Sequence, residues 1–466
     1  MLLKEYDSFL EEKEIQTFSN GWEVSVEEMS SLLFDWQKLI IRWSLQKGRA
    51  AILADCGLGK TFLQLEWARY VHMYTKEPVL ILAPLAVAQQ SQLEGKKIRV
   101  RVKICQRGED IINGINITNY EKLHKFDCSL FSGIVLDESG ILKNFAGTTR
   151  NQLIESFCNT PYRLCCTATP SPNDYTELGN HSEFLGVMTR SEMLSMFFVN
   201  DTKDTGNWRL KGHVRDNKFW EWLSSWAIMM RSPSDIGFSD EGYILPNLNI
   251  VEKIIDTKVK LKPGELLPGV AVTMDERRKA RKESLTDRVR EASSMVNSSK
   301  EKWLLWCNLN DESAQCAKSI RDAVEVTGSD KVAKKEKSLM DFSAGKIKCL
   351  VTKPSIAGHG LNWQIAHNMI FVGLSDSYED FYQAIRREWR FGQEEDVHVY
   401  IIIGKQEKKV LLNIKRKEKE ANEMFLGMLT HMRDLMKKEV FSLQRRDTSY
   451  NPTVSMKLPL FLGGSK

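Results

Sequence analysis

The sequence predicts an α/β protein made of two units, each with a parallel β-sheet flanked by helices. Short continuous apolar runs alternate with segments long enough for helices, which is the pattern of buried parallel strands joined by crossover helices. The runs form two groups, because four precede residue 170 and four follow residue 300. That separation favours two sheets over one continuous sheet.

The apolar runs define the strands expected in each unit. The first unit contains AAILAD (50–55), VLILAP (79–84), GIVLDE (133–138) and YRLCCTAT (162–169). The second unit contains WLLWCN (303–308), IKCLVT (347–352), MIFVG (369–373) and VHVYIII (397–403).

The segments outside these runs are predicted to be helical. Aromatic and Met residues recur at helical spacing in residues 182–198 and 219–230, so packed helices are expected to extend the first unit. Basic segments at 275–292 and 414–439 are predicted to open and close the second unit. Two alternatives are open for each basic helix: its mixed charges are exposed to solvent, or its basic side chains contact nucleic-acid phosphates.

Composition limits the class of protein. The chain has 466 residues, 42% hydrophobic residues and only 12 Pro and 28 Gly, which excludes a largely disordered chain. A net charge of +5 is too small for binding nucleic acid through bulk electrostatics, so any such role needs a local arrangement of residues. Nine scattered cysteines form no C-x-x-C pair, and neither a signal peptide nor a membrane span is recognisable. We therefore expect a cytoplasmic protein with no membrane partner.

A glycine-rich turn follows the first predicted strand and precedes a helical run. It reads Ala54-Asp55-Cys56-Gly57-Leu58-Gly59-Lys60-Thr61. Such a turn points backbone N–H groups inward at a helix N-terminus and binds anions. Lys60 is placed to reach the β- and γ-phosphates of a nucleotide, and the Thr61 hydroxyl to bind Mg²⁺. Ala54 departs from the general pattern, which has Gly there; the alternative is a chance glycine turn.

Adjacent carboxylates end the third predicted strand. Asp137 and Glu138 lie 77 residues after Lys60. Downstream of a phosphate loop, Asp137 is expected to hold Mg²⁺ and Glu138 to activate the attacking water as a general base. Alone, such a pair is more often a solvated loop.

With these motifs, the chain resembles a superfamily 2 helicase, and within that group the Swi/Snf-related DNA translocases of compact phage or bacterial type. The form A-x-x-G-x-G-K-T is familiar in superfamily 2, and Ile141-Leu142-Lys143-Asn144 is similar to the tract that follows the family's D-E-A-H. Ser139-Gly140 replaces the usual Ala-His and so removes an imidazole. The resemblance implies two tandem RecA-like P-loop domains, with ATP and Mg²⁺ bound between them.

Further residues match the family's motifs in the first unit. Gln37 is similar to the upstream glutamine that reads adenine, although a lone Gln is otherwise a surface residue. Pro84, Thr118 and Asn119 resemble elements that hold a nucleic-acid backbone, and Pro84 and Asn119 could equally be turn residues. Thr167 and Thr169, in T-A-T-P, resemble the element that couples hydrolysis to the nucleic-acid path. Downstream, the tract from Asn173 to Leu185 is also similar to Swi/Snf-type proteins.

The second unit carries the remaining motifs. Gly360 and Asn362 belong to A-G-H-G-L-N, in which His359 stands at a variable position and whose alternative is a plain glycine turn. Arg387 and Arg390 match the two arginines of Q-A-x-x-R-x-x-R-x-G-Q, which implies an arginine-finger role at the γ-phosphate. Arg386 lies outside that register and is predicted to be a surface or phosphate contact. The family's acidic and Trp-Asn-Pro tract is absent before this motif.

These observations lead to one expected architecture and function. Residues 1–170 are predicted to form the first RecA-like domain, 171–246 its helical extension, and 247–466 the second domain with C-terminal helices. We expect an ATP hydrolase that moves along DNA, single- or double-stranded, with RNA left open and a protein partner allowed. The alternatives are a nucleic-acid-binding scaffold switched by ATP, or a motor subunit that serves a nuclease or methyltransferase.

Overall fold

The computed structural model describes residues 20–84, 87–143, 147–171, 174–200, 208–212, 218–256, 280–358 and 360–441. Asn144, Asn173, His359 and the start of the basic segment 275–292 lie outside the described residues. In the described part, no helix is both long and apolar enough to cross a bilayer.

The first lobe is built on a seven-stranded parallel sheet with the strand order β3-β4-β2-β5-β6-β1-β9. Its strands are β1 (Arg49–Ala54), β2 (Val79–Ala83), β3 (Val102–Ile104), β4 (Ile115–Asn119), β5 (Gly133–Asp137), β6 (Tyr162–Cys166) and β9 (Ala227–Met230). Its helices are α1 (Asp35–Lys47), α2 (Lys60–Thr75), α3 (Val87–Lys97), α4 (Thr148–Ser156), α5 (Leu178–Leu185), α6 (Arg190–Phe197) and α7 (Lys218–Trp226). A separate antiparallel hairpin pairs β7 (Phe198–Asn200) with β8 (Trp208–Leu210).

The second lobe is built on a six-stranded parallel sheet with the order β10-β15-β14-β11-β13-β12. Its strands are β10 (Leu248–Ile255), β11 (Trp303–Trp306), β12 (Ala323–Glu325), β13 (Cys349–Thr352), β14 (Asn368–Phe371) and β15 (Val397–Gly404). Its helices are α8 (Leu285–Ser298), α9 (Asn310–Ser319), α10 (Val332–Ser343), α11 (Pro354–Ala357) and α12 (Tyr378–Ile385), and the chain continues into the long helix α13 (Lys408–Phe441). The predicted fold class, two parallel α/β sheets flanked by helices, is confirmed, and it agrees with two tandem RecA-like domains.

The central strands are buried on both faces, which explains why they were recognisable as apolar runs. Every residue of β2, β5 and β6 in the first lobe and of β11, β13 and β14 in the second is buried. Helices cover both faces of such a sheet, so the strands carry no polar alternation. In the first lobe the catalytic candidates lie at the carboxyl ends of β1 and β5, where ligands bind in open parallel sheets.

The stretch 219–230 is not helical throughout, and this corrects the prediction from its aromatic and Met spacing. Helix α7 ends at Trp226, and Ala227–Met230 continue as β9, which pairs in parallel with β1. The four strand residues are fully buried and apolar, and a short run of that kind fits a buried helix turn or a buried strand equally well. The segment after residue 170 therefore supplies an edge strand to the first sheet.

Helix α13 does not close only the second lobe, contrary to the prediction for residues 414–439. Its first turns place Val410, Leu411 and Ile414 in a core of the second lobe. Its later turns pack into the core of the first lobe, through Phe425, Met428, Leu429, Met432, Met436 and Val440. At the far end, Arg42 of α1 donates a hydrogen bond of 3.2 Å to the Val440 carbonyl oxygen. One continuous helix of 34 residues thus joins both lobes.

Candidate active site between the two lobes

The glycine-rich turn lies between β1 and α2, as predicted, and both of its glycines are needed there. Gly57 and Gly59 have φ of +90° and +72°, a region that favours glycine. A Cβ at Gly57 would lie 2.9 Å from the backbone N of Phe391 in the second lobe, and a Cβ at Gly59 would lie 2.5 Å from Nε2 of Gln37. The turn therefore permits close approach of the second lobe on one side and of α1 on the other.

Lys60, the first residue of α2, turns its ammonium group back onto the loop. Its Nζ donates to the carbonyl oxygens of Ala54, at 2.9 Å, and Asp55, at 3.2 Å. An ammonium group held only by carbonyls at the mouth of an anion-binding loop is available to a phosphate, which offers stronger charge-assisted hydrogen bonds.

The carboxylate pair lies where β5 ends. Asp137 Oδ1 accepts a hydrogen bond of 2.6 Å from Nε2 of Gln64, and the Asp137 carbonyl oxygen accepts one of 2.7 Å from the Tyr120 hydroxyl. Burial and the neighbouring charge of Glu138 raise the pKa of Asp137 to about 6. Glu138 has φ of +56°, an uncommon value for a residue other than glycine. Strained backbone of this kind concentrates at functional sites.

The residues present fit a magnesium ion held together with a nucleotide. Mg²⁺ prefers oxygen ligands and is bound through one or two carboxylates plus substrate phosphates. The Thr61 hydroxyl and the Asp137 carboxylate line the same cavity and supply such oxygens. Among the described residues, no cluster of three or more His, Cys, Asp or Glu side chains is suited to hold a metal by itself.

Two arginines reach this cavity from the turn that follows α12. Arg387 donates to the Leu361 carbonyl oxygen at 3.1 Å and to Gln383 Oε1 at 3.0 Å, and Arg390 donates to the same Leu361 oxygen at 3.2 Å. Burial lowers the pKa of both guanidinium groups, and for Arg390 burial together with the charge of Arg387 lowers it to about 10. Two neighbouring guanidinium groups with restricted access to solvent, one buried and one partly buried, repel each other and fit a polyanionic ligand.

The cavity between the lobes has about 720 Å³ of empty space and is open to solvent. The first lobe lines it with Cys56, Gly57, Gly59, Lys60, Thr61, Phe62, Val87, Glu94, Asp137 and Glu138, and the second lobe with Gly360, Asn362, Gln364, Arg387, Arg390 and Phe391. The structure thus brings together nine of the predicted site residues in one place: Gly57, Gly59, Lys60, Thr61, Asp137, Glu138, Gly360, Arg387 and Arg390. Asn362 lies in it too, although it was predicted to contact nucleic acid.

Gln37 lies beside the glycine-rich turn, and both ends of its amide are engaged. Its Oε1 accepts a hydrogen bond of 3.1 Å from the Phe34 backbone N, and its Nε2 donates to the Leu58 carbonyl oxygen at 3.2 Å. The Phe34 ring is about half exposed and packs edge-on against Tyr243, whose ring lies 4.7 Å from that of Phe391. The role of Gln37 in reading adenine stays a prediction.

The predicted coupling residues contact both lobes. Thr167 Oγ1 accepts a hydrogen bond of 3.1 Å from the Thr169 backbone N, and Thr169 Oγ1 donates one of 3.3 Å to Glu379 Oε1 in the second lobe. Glu379 also forms an ion pair with Lys143. Gly360 has φ of +76° and lies so close to Val87 that a Cβ would overlap it.

Three of the predicted nucleic-acid contacts lie at the carboxyl ends of two paired strands, because Ala83, which precedes Pro84, is the register partner of Asn119. Pro84 directly follows β2, and Thr118 and Asn119 are the last two residues of the neighbouring strand β4. Thr118 and Asn119 are both buried, and Asn119 Oδ1 accepts a hydrogen bond of 3.2 Å from the Lys122 backbone N. Asn362 donates to Glu94 Oε1 across the cleft at 3.3 Å. Contact of these residues with nucleic acid stays a prediction.

Arg386 is not a surface residue, which corrects one of the two roles predicted for it, while the other, a phosphate contact, stays a prediction. It is 5% exposed, and its Nη2 lies 2.9 Å from Oδ2 of Asp55 in the glycine-rich turn. Glu379, Tyr382 and Arg386 recur at helical intervals of three and then four, so this spacing could have suggested one shared face.

A buried histidine next to the Asp137-Glu138 pair was also missed. His181 on α5 lies with its Nε2 3.1 Å from Ser139 Oγ, and both side chains are buried. Burial lowers the pKa of His181 to about 4, so the ring is neutral at physiological pH. An imidazole therefore does lie beside this motif, although the sequence lacks the usual one at Gly140.

Two family models match the chain. The SNF2-related domain matches residues 21–200, and the helicase conserved C-terminal domain matches residues 285–392. No curated protein matches the sequence. With the two-sheet fold and the cleft described above, these matches place the chain in superfamily 2 of the helicases. Within superfamily 2 it belongs to the Snf2-like group, a family of ATP-dependent helicases and translocases that use ATP, typically with Mg²⁺.

Proposed function

We propose that this protein is a DNA-stimulated ATP hydrolase that uses the energy of hydrolysis to move along DNA. One observation carries the proposal: Lys60, Thr61, Asp137 and Glu138 of the first lobe and Arg387 and Arg390 of the second line a single cavity. A site split between two lobes links hydrolysis to their relative movement, because the complete set exists only while the lobes are together.

Each residue has a proposed role in that cavity. Lys60 exchanges the carbonyls of Ala54 and Asp55 for the β- and γ-phosphates, while the backbone N–H groups of the turn, including that of Leu58, surround them. The Thr61 hydroxyl and the Asp137 carboxylate hold Mg²⁺, which neutralises phosphate charge when bound. Glu138 accepts the proton of the attacking water. Gln37 positions the adenine edge beside the turn.

The two arginines are proposed to stabilise the negative charge that develops at the γ-phosphate. Arg387 is buried, Arg390 is partly buried, and both are anchored on the Leu361 carbonyl, so little reorganisation is needed when a nucleotide enters. Opening of the cleft after hydrolysis withdraws them. This alternation would let the lobes grip and release a nucleic-acid backbone in turn.

We favour movement on duplex DNA over strand separation, because the resemblance is to the Swi/Snf-related translocases. The contacts are proposed to go to the sugar–phosphate backbone, through Pro84, Thr118, Asn119 and Asn362, so that sequence preference is weak. The buried state of Thr118 and Asn119 requires this surface to rearrange when DNA binds.

A titration of ATP hydrolysis against single-stranded DNA, duplex DNA and RNA tests the proposal. We expect phosphate release to rise several-fold with duplex DNA and less with RNA. Displacement of a triplex-forming strand, measured beside displacement of a paired strand, separates the two kinds of movement. Unwinding without triplex displacement would contradict duplex translocation, and phosphate release that ignores all three polymers would contradict the motor.

A further inference from the structure

The carboxylate of Asp55 is held by the second lobe as well as by its own loop. Arg386 Nη2 lies 2.9 Å from Oδ2, and the Tyr382 hydroxyl donates a hydrogen bond to Oδ1. The backbone N of Cys56 also donates to Oδ1, at 2.6 Å. Three donors, two of them from the second lobe, therefore satisfy one carboxylate in the phosphate-binding turn.

Arg386 makes its polar contacts with the same glycine-rich turn. Its Nη2 donates to the Cys56 carbonyl oxygen at 2.8 Å, besides pairing with Asp55. Its guanidinium lies 5.0 Å from the ring of Trp389 and 5.8 Å from that of Tyr382. Burial alone would lower the pKa of Arg386, but the charge of Asp55 raises it above the ordinary value. The ion pair is nearly closed to solvent, with side-chain exposures of 6% for Arg386 and 13% for Asp55.

This contact is connected to the arginines that line the cavity. Arg386 and Arg387 are adjacent, and Gln383 Oε1 accepts both the Arg387 Nη2 at 3.0 Å and the Cys56 thiol at 3.6 Å. The segment that carries Arg387 and Arg390 is therefore attached to the glycine-rich turn at Asp55 and at Cys56. Neither Asp55 nor Arg386 is among the residues that line the cavity's arginine side.

We propose that Asp55 and Arg386 are positioning residues, whose ion pair fixes Arg387 and Arg390 relative to the phosphate-binding turn. The proposal rests on the proposed ATP hydrolysis for its consequence but not for its geometry. A buried charge pair with additional donors has a defined geometry, unlike an exposed pair. Misplacement of a catalytic group by about 1 Å can cost about 100-fold in rate, so the pair can control turnover without touching the nucleotide.

The test is a double-mutant cycle with Asp55→Asn and Arg386→Gln, and Arg416→Gln as control. Arg416 forms an exposed ion pair with Glu420 on α13. We expect each single variant to lower kcat for ATP by at least about 10-fold with KM changed less than about 3-fold. The double variant should lose no more than the worse single variant, and the control should match the wild type.

Two kinetic results would overturn the proposal. A normal kcat for Asp55→Asn beside a loss in Arg386→Gln would mean that Arg386 acts alone, directly on a phosphate. Losses that multiply in the double variant would mean that the residues act independently. Recovery of kcat in the reversed pair D55R/R386D would support the ion pair, and thermal melting of each variant identifies any that fails to fold.

A second measurement separates this proposal from the proposed function. Energy transfer between one fluorophore on each lobe, at the exposed positions Glu121 and Lys318, reports the interlobe distance without nucleotide. We expect lower transfer in Asp55→Asn and Arg386→Gln than in the wild type and in Arg416→Gln. If the wild type hydrolyses no ATP, the proposed function fails, but the energy-transfer measurement still tests the ion pair. Unchanged transfer in both variants would overturn the proposal that Asp55 and Arg386 hold the two lobes in position.

Discussion

The Thr169 hydroxyl donates a hydrogen bond of 3.3 Å to Glu379 Oε1. This bond joins the predicted coupling motif, T-A-T-P at 167–170 of the first lobe, to the first turn of α12 in the second lobe. Glu379 also pairs with Lys143, which follows the hydrolysis motif. The same helix carries Gln383, and the three arginines follow its C-terminal end. A change at Glu379 can therefore reach both the Asp137-Glu138 pair and the arginines that line the cavity.

Replacing Glu379 with Gln should reduce the stimulation of ATP hydrolysis by DNA. The amide removes the charge that pairs with Lys143, and coupling between sites changes by about 0.5–2 kcal/mol in such cases, which corresponds to about 2- to 30-fold. The measurement is kcat with and without duplex DNA. Glu394→Gln, at an exposed position in the same lobe, is the control. Equal stimulation in Glu379→Gln and the wild type would show that this contact carries no coupling.

Replacing Lys60 with Ala should weaken nucleotide binding. The change removes a cation whose hydrogen bonds to charged groups contribute about 1.5–3 kcal/mol, or about 10- to 100-fold in affinity. Titration with a fluorescent ATP analogue measures the Kd, and Lys97→Ala, exposed on α3, serves as control. ATP turnover at the wild-type rate in Lys60→Ala would contradict the assignment of the phosphate-binding turn.

Replacing Glu138 with Gln should preserve ATP binding and block hydrolysis. The amide keeps the shape of the side chain but cannot accept the proton of water, and a general base contributes about 100- to 10,000-fold. Single-turnover hydrolysis measures the loss, and a binding titration shows that the affinity is retained. Glu121→Gln is a control at an exposed position of the same lobe. A variant that hydrolyses ATP normally would require a different base.

Replacing Met432 with Ala should destabilise the protein, although Met432 is far along the chain from the first lobe. Its side chain is fully buried in the core of that lobe, and truncation of a buried Met costs about 2–5 kcal/mol. Leu426→Ala is the matched control, because Leu426 lies on the same helix and is 52% exposed. Urea denaturation measures both. Equal stability of the two variants would mean that α13 does not pack on the first lobe in solution.

The buried strands and the phosphate-binding turn could be predicted because each depends on local sequence. A continuous apolar run predicts a central strand such as β5 or β13, and the glycines, lysine and threonine of the turn are contiguous. The edge strand β10 was missed for the opposite reason. In β10 the residues are only partly buried, so its sequence lacks the apolar run that identifies the central strands.

Contacts between the lobes could not be derived from the sequence, because they depend on how two separate sheets are placed. Asp55 and Arg386 are 331 positions apart, and nothing near either one indicates the other. Because position 386 lies outside the register of Arg387 and Arg390, the motif predicts a surface or phosphate contact there. In the structure, the polar face formed by Glu379, Tyr382 and Arg386, on and just after α12, contacts the first lobe.

The long helix α13 also sets a condition on how the chain folds as it is synthesised. The core of the first lobe includes Met432, Met436 and Val440, so about 200 residues after β9 must leave the ribosome before that core is complete. Until then, the apolar surface on α7 and β9 that this helix covers lies open to solvent and to other nascent chains. Contacts so distant in sequence slow folding. Emergence of α13, rather than completion of the first sheet, is thus the step at which the first lobe acquires its full stability.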